Sequence, residues 1–77
     1  EAEEGETIVE SPLGGSVWKI EAKIGQRVKE GERVAIVEAM KTECDVVSPC
    51  DGVVKRIFAQ ERQAIAAGAA LMGIEQA

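Results

Sequence analysis

Apolar and polar positions change places in short runs along the whole chain, and no stretch keeps a helical period for long. Residues 7–10 are β-favouring, and Ser11-Pro12-Leu13-Gly14-Gly15 is turn chemistry that ends them. Residues 16–22 alternate, Val17, Lys19 and Glu21 against Trp18, Ile20 and Ala22, which predicts a half-buried strand, with Trp18 expected in the core and a functional surface as the alternative. Gly25 and Gly31 bracket a short segment around Val28. Residues 33–39 form an apolar strand that runs into Met40-Lys41, residues 42–48 form a second strand that leaves it, and the pair reads as a β-hairpin. Strand alternation then sets Met40, Thr42, Cys44 and Val46 on one face, with Cys44 inward.

After the hairpin the pattern starts again. A shift of 37 positions, without a gap, lays Ser11-Pro12 on Ser48-Pro49, Gly15 on Gly52, Val17 on Val54, Ile20 on Ile57 and Ala22 on Ala59. The same shift carries Gln26 to Gln63, Gly31 to Gly68 and Glu38 to Glu75, while Val28 falls on Ile65 and Val34 on Leu71. Two copies are too few to stack as a solenoid. Two halves of about four short strands each, closing on one another, predict an all-β, flattened barrel or sandwich with a pseudo-twofold axis. Residues 60–70 are alanine-rich and would suit a helix in isolation, but their repeat mate carries Gly25 and Gly31, so turn and short strand are expected there.

Composition narrows the function classes. A chain of 77 residues is one small domain with a limited core. Residues 1–6 are an acidic lead-in, the end of a linker; residues 7–75 are the ordered domain and 76–77 a tail. The chain does not begin with Met, so it is expected to be cut from a longer parent. The net charge of −5 argues against nucleic acid, whose phosphates need clustered Lys and Arg, and against anionic membranes. No apolar run is long enough to span a bilayer and no signal peptide is recognisable, so the parent is expected in the cytosol. There is no histidine, which removes the commonest general base and leaves Cys44 and Cys50 unable to complete a zinc site. The two cysteines are expected as reduced thiols in the core, with a disulfide between them as the alternative. A self-contained enzyme is not expected, and catalytic and metal-binding residues are predicted to be absent.

Met40-Lys41 is a poor sequence for a two-residue loop. Such loops require positive φ and favour Asn, Asp or Gly, so two long L-residues there cost roughly 1–3 kcal/mol. A local rule broken inside an otherwise consistent sequence marks a functional site, and Lys41 is its candidate group.

Glu38-Ala39-Met40-Lys41-Thr42-Glu43, preceded by a strand and a Gly31-Glu32 turn and followed by Ser48-Pro49-Cys50-Asp51-Gly52, resembles the biotinyl domains of biotin-dependent carboxylases. The resemblance covers most of residues 11–75, repeat included. It implies the fold of two quasi-symmetric halves, with biotin attached covalently to Lys41. Thr42 after the lysine and the Ser16-Val17-Trp18-Lys19 segment are most similar to the urea carboxylase and urea amidolyase type. Lipoyl domains share the fold, and Met40 favours biotin over lipoate.

The resemblance further implies a biotin carboxyl carrier. A biotin protein ligase would activate biotin as its adenylate for attack by the Lys41 amine. A biotin carboxylase would load a carboxyl group, and a carboxyltransferase would pass it to an acceptor, each as domain or subunit of the parent. Ala39, Met40 and Thr42 would present Lys41, Met40 otherwise being a packed hairpin residue, and Glu38 and Glu43 would be read by the ligase or only solubilise the tip. The isolated domain is expected to be a monomer. A lipoyl carrier of an acyl-transfer complex and an unmodified docking β-sandwich are the alternatives.

Overall fold

A computed structural model of the chain describes residues 5–76. Among them are eight strands and no helix: β1 (Glu6–Glu10), β2 (Gly15–Ile20), β3 (Arg27–Val28), β4 (Arg33–Ala39), β5 (Thr42–Val47), β6 (Gly52–Ile57), β7 (Ala64–Ile65) and β8 (Ala70–Gln76). They pair antiparallel in two four-stranded sheets, β1-β8-β6-β3 and β5-β4-β2-β7. The extents of 35 × 22 × 16 Å are those of a flattened sandwich, the shortest matching two sheets stacked face to face. The alanine-rich stretch holds no helix: the two-residue β7 lies between turns, and Ala70 opens β8, as its repeat mate predicts.

The 37-residue shift carries β1 to β5, β2 to β6, β3 to β7 and β4 to β8, and turns one sheet order into the other. The two halves nevertheless are not the two sheets. Each half gives two strands to each sheet, because β1 pairs with β8 and β7 with β2. The halves therefore interleave, and neither simply lies over the other's apolar face. Backbone groups that one half leaves open are satisfied by its mate: Gly31 N–H donates to Ser48 O and Gly68 N–H to Ser11 O, both at 2.8 Å. The Ser-Pro turns close alike, Ser11 Oγ donating to Leu13 O and Ser48 Oγ to Cys50 O, both at 2.6 Å.

Inward residues from both sheets make one core. Val17, Val28, Val34, Val37, Val54, Leu71, Met72 and Ile74 are buried to within about a hundredth of their surface. Burying each large apolar side chain is worth about 1.5–3 kcal/mol, enough in sum to hold a domain of this size.

Trp18 is not in that core. The pairing of β2 with β4 runs Val17 to Val37 and then Lys19 to Ile36, so two residues of β2 face one of β4 at a β-bulge. The bulge reverses the inside–outside parity. Val17 stays buried and Ile20 packs on the core, while Trp18 is turned out to 47% exposure. A strict period of two, which groups Trp18 with Ile20 and Ala22, does not survive the extra residue. The repeat keeps the bulge: β6 breaks register between Val54 and Arg56, displacing Lys55.

Three smaller expectations also shift. β1 begins at Glu6, which belongs to the fold because Arg56 holds its buried carboxylate, and β8 reaches Gln76. Positions 1–4 of the expected lead-in and position 77 of the tail lie outside the described residues. The thiols of Cys44 and Cys50 are free, but both residues are only half-buried: Cys50 packs against the core, and Cys44 lies on the edge strand β5.

Candidate functional site

β4 and β5 form the predicted hairpin. Their last pair is Ala39 with Thr42, leaving Met40 and Lys41 as the two-residue turn. Met40 has φ 50° and Lys41 φ 66°, the paired positive values of a type I′ turn, here made without glycine or asparagine. The pairing of β2 with β4 ends at Ser16 and Glu38, so the tip projects past its neighbour. This is why Met40 does not continue the inward face of β5 and instead stands 97% exposed. A bare methionine at a turn forfeits its burial, so Met40 is not a packed hairpin residue.

Below the turn Glu38 stands directly opposite Glu43, and both are exposed. Like charges facing across a strand pair are destabilising. Within six residues the chain therefore accepts two strained backbones, an unburied Met and a facing pair of carboxylates, with no packing gain in return.

All the residues singled out in the sequence meet here: Glu38, Ala39, Met40, Lys41, Thr42 and Glu43. Lys41 is exposed, and among the described residues no carboxylate pairs with its amine. The contrast lies at the far end of β4. There Arg33 Nε is 2.9 Å from Glu21 and its Nη1 3.7 Å from Asp45. The hydrogen bond and charge of Glu21, then the charge of Asp45, raise the already high pKa of that guanidinium. One cation of the strand is tied down and the other is presented.

One part of the site was not foreseen. Gly14, Gly15 and Ser16 line an open groove of about 510 Å³ with Glu38, Ala39, Met40 and Lys41. The sequence offered a signal in the repeat, where Gly15 matches Gly52 but Gly14 matches Asp51. Gly15 and Gly52 are both demanded by packing, since an added Cβ would collide with the backbone carbonyl of Glu38 or Glu75. At Gly14 an added Cβ would meet only ordinary contacts, the nearest at 3.6 Å.

An exposed amine at the apex of a tight turn is suited to acylation by an enzyme that can close around it. It is not suited to acid–base chemistry on its own, because among the described residues no second titratable group is hydrogen-bonded or ion-paired to it.

A profile of the family described as biotin-requiring enzyme matches residues 2–74. A protein of Emericella nidulans provisionally named a urea carboxylase is 41% identical over 69 residues, covering 86% of this chain and 6% of that protein. The biotin carboxyl carrier protein of acetyl-CoA carboxylase from Streptococcus pyogenes is 37% identical over 75 residues, 88% of this chain and 45% of that one. Among solved structures, the urea carboxylase of Kluyveromyces lactis superposes with a TM-score of 0.88 at 32% identity, over 96% of this chain and 6% of its own. The chain thus spans only a small part of the carboxylases it matches.

Proposed function

The chain belongs to the family of biotin-requiring enzyme domains and is a biotin carrier domain, and on that premise we propose that Lys41 is the attachment point and that the parent is a urea carboxylase. The observation that carries the attachment site is the apex itself: a lysine in a left-handed turn, exposed and without an ion pair. The similarity to a provisionally named urea carboxylase and to the structure of another supports the parent.

In this reading the domain carries and does not catalyse. A lysine ammonium is protonated at neutral pH and is a poor nucleophile until a base removes its proton. A biotin protein ligase therefore has to bind the tip and deprotonate the amine. Ala39 and Thr42, the last pair of the hairpin, hold the turn rigid, Met40 offers an apolar contact, and Glu38 and Glu43 offer charge to a basic ligase surface.

Bound biotin supplies the nitrogen that accepts and releases the carboxyl group. The fold supplies a fixed base for the arm. From covalent geometry the arm reaches roughly 12–16 Å beyond the lysine Cα. Longer travel between a biotin carboxylase site and a carboxyltransferase site falls to linkers in the parent. Tethering replaces diffusion with a high effective concentration at both sites. We further propose a cytoplasmic parent and a monomeric domain, in keeping with the two free thiols.

Intact-mass measurement after co-expression with a biotin ligase tests the site. One biotin per chain is expected, and Lys41→Ala should abolish it completely. An adduct that survives Lys41→Ala removes Lys41 from the role, and loading by a lipoate ligase alone would make the domain a lipoyl carrier.

A further inference from the structure

Trp18 is the chain's sole tryptophan, and the fold does not require it where it stands. The bulge in β2 turns it out to 47% exposure, whereas the equivalent bulge in β6 displaces Lys55. The equivalent position of the other half holds a charged side chain, so the repeat does not fix an indole here, and this one stands half in water on the sheet that carries the hairpin.

Its location suggests a use. Trp18 and Lys19 stand opposite Ile36 on the sheet that carries the hairpin. From Ile36 to the turn is about 13–16 Å along β4, and the neighbouring strand adds about 5 Å across, so the indole lies near the limit of the arm. The groove at the base of Lys41 starts the path between them, with Ser16 and Glu38 as the strand pair toward Trp18. An added Cβ at Gly14 would face Ile65, Ala66 and Ala67, whereas one at Gly15 would run into Glu38 and Ala39, so it is the missing Cβ of Gly15 that borders the groove.

Resting on the carrier reading, we infer that biotin attached to Lys41 folds back along this groove and seats its bicyclic ring against the Trp18 indole. The alkyl part of the arm lies over the bare backbone of Gly14 and Gly15. The ring's thioether side meets the indole, a contact that sulfur and aromatic faces favour. The seat is shallow and open to solvent, so the ring leaves it whenever a partner site binds it better. Its effect is to keep an idle arm off other surfaces.

The experiment compares the unmodified and fully biotinylated chain, with loading on Lys41 verified by intact mass. Acrylamide quenching reports the exposure of Trp18, and nuclear Overhauser contacts report whether the indole touches the biotin ring protons. Seating that covers half of an indole now 47% exposed lowers the quenching constant roughly twofold and shifts the emission to the blue, with ring-to-indole contacts present. Ser16→Ile, which adds bulk at the exposed Ser16–Glu38 pair that the path crosses, should return the loaded chain to the quenching of its own unloaded form. A fully loaded chain with unchanged quenching, or one without those contacts, overturns the seat and leaves the carrier reading standing. A chain that takes no biotin at Lys41 overturns both.

Discussion

On the outside of one sheet, the carboxylate of Glu6 on β1 reaches across Gly73 on β8 to the guanidinium of Arg56 on β6, which in turn lies 5.0 Å from the Phe58 ring. The 37-residue shift relates Glu6, Gly73 and Arg56 to Glu43, Ile36 and Lys19 on the other sheet. The charges are kept, but the middle residue is now Ile36, itself only 7% exposed, and among the described residues no ion pair joins Glu43 to Lys19. Glycine in the middle strand opens a slot through which a pair can form across three strands, and isoleucine fills it. The outcome matters because Glu43 is thereby left free beside Lys41, while Glu6 is folded away with its side chain 2% exposed. Matching backbones thus produce a closed, ion-paired face on one sheet and an open one on the other.

The sharpest way to break this comparison is at the positions where the halves agree. Gly15 and Gly52 each admit a neighbouring carbonyl into the space of a missing Cβ. Because backbone cannot yield as a side-chain end does, Gly52→Ala or Gly15→Ala is expected to destabilise by about 2–3 kcal/mol in urea or guanidinium titration. Gly14→Ala, with no close contact to make, should stay within about 0.5 kcal/mol. Equal losses at Gly14 and Gly15 would show that this difference between the glycines is mistaken.

The next effect is expected where the halves differ. Gly73→Ala drives a Cβ into the Glu6 carboxylate, and should cost about 1–3 kcal/mol by displacing a buried charge from its partner. The cost should be coupled to Glu6: in a Glu6→Ala background the same substitution is expected to be nearly silent, a coupling of at least about 1 kcal/mol. Additive losses would mean that Glu6 and Gly73 act separately and that the slot has no role.

The hairpin was legible in the sequence because two independent signals agreed there: strand-like runs on each side and a turn whose residues suit no ordinary turn. The repeat was legible because packing holds Gly15 and Gly52, and turn geometry holds Ser11 and Ser48, to one identity each. Trp18 was misplaced because a bulge is an inserted residue with no composition of its own: it changes the inside–outside phase between Val17 and Ile20, so the inward phase of Ile20 and Ala22 does not extend back to Trp18. The interleaving of the halves was hidden for a different reason. Pairing β1 with β8 is decided by backbone groups that every residue carries, so it leaves no mark on side-chain pattern. Glu6 was read as linker because a carboxylate at a chain end looks solvated until its partner, Arg56, is brought from fifty residues away.

The smallest expected effect separates tolerated strain from retained function. The turns at 23–26 and 60–63 are the same structure: Lys23 N–H donates to Gln26 Oε1 at 3.0 Å, and Gln60 N–H to Gln63 Oε1 at 2.8 Å. Their third residues are Gly25 at φ 90° and Arg62 at φ 68°. A non-glycine residue in the left-handed region costs about 1–2 kcal/mol, and part of that is offset because glycine loses about 0.5–1 kcal/mol more backbone entropy on folding. Arg62→Gly should therefore stabilise by about 0.5 kcal/mol, seen as a higher denaturant midpoint with an unchanged m value. Gly25→Ala should destabilise by a similar amount, since it sets the same strain in the other half. Among the described residues the Arg62 side chain is exposed and joined to no carboxylate, so no lost contact stands against the gain. Should Arg62→Gly destabilise instead, the arginine must hold something that the relaxed backbone does not replace, and the second half would then carry a working surface of its own.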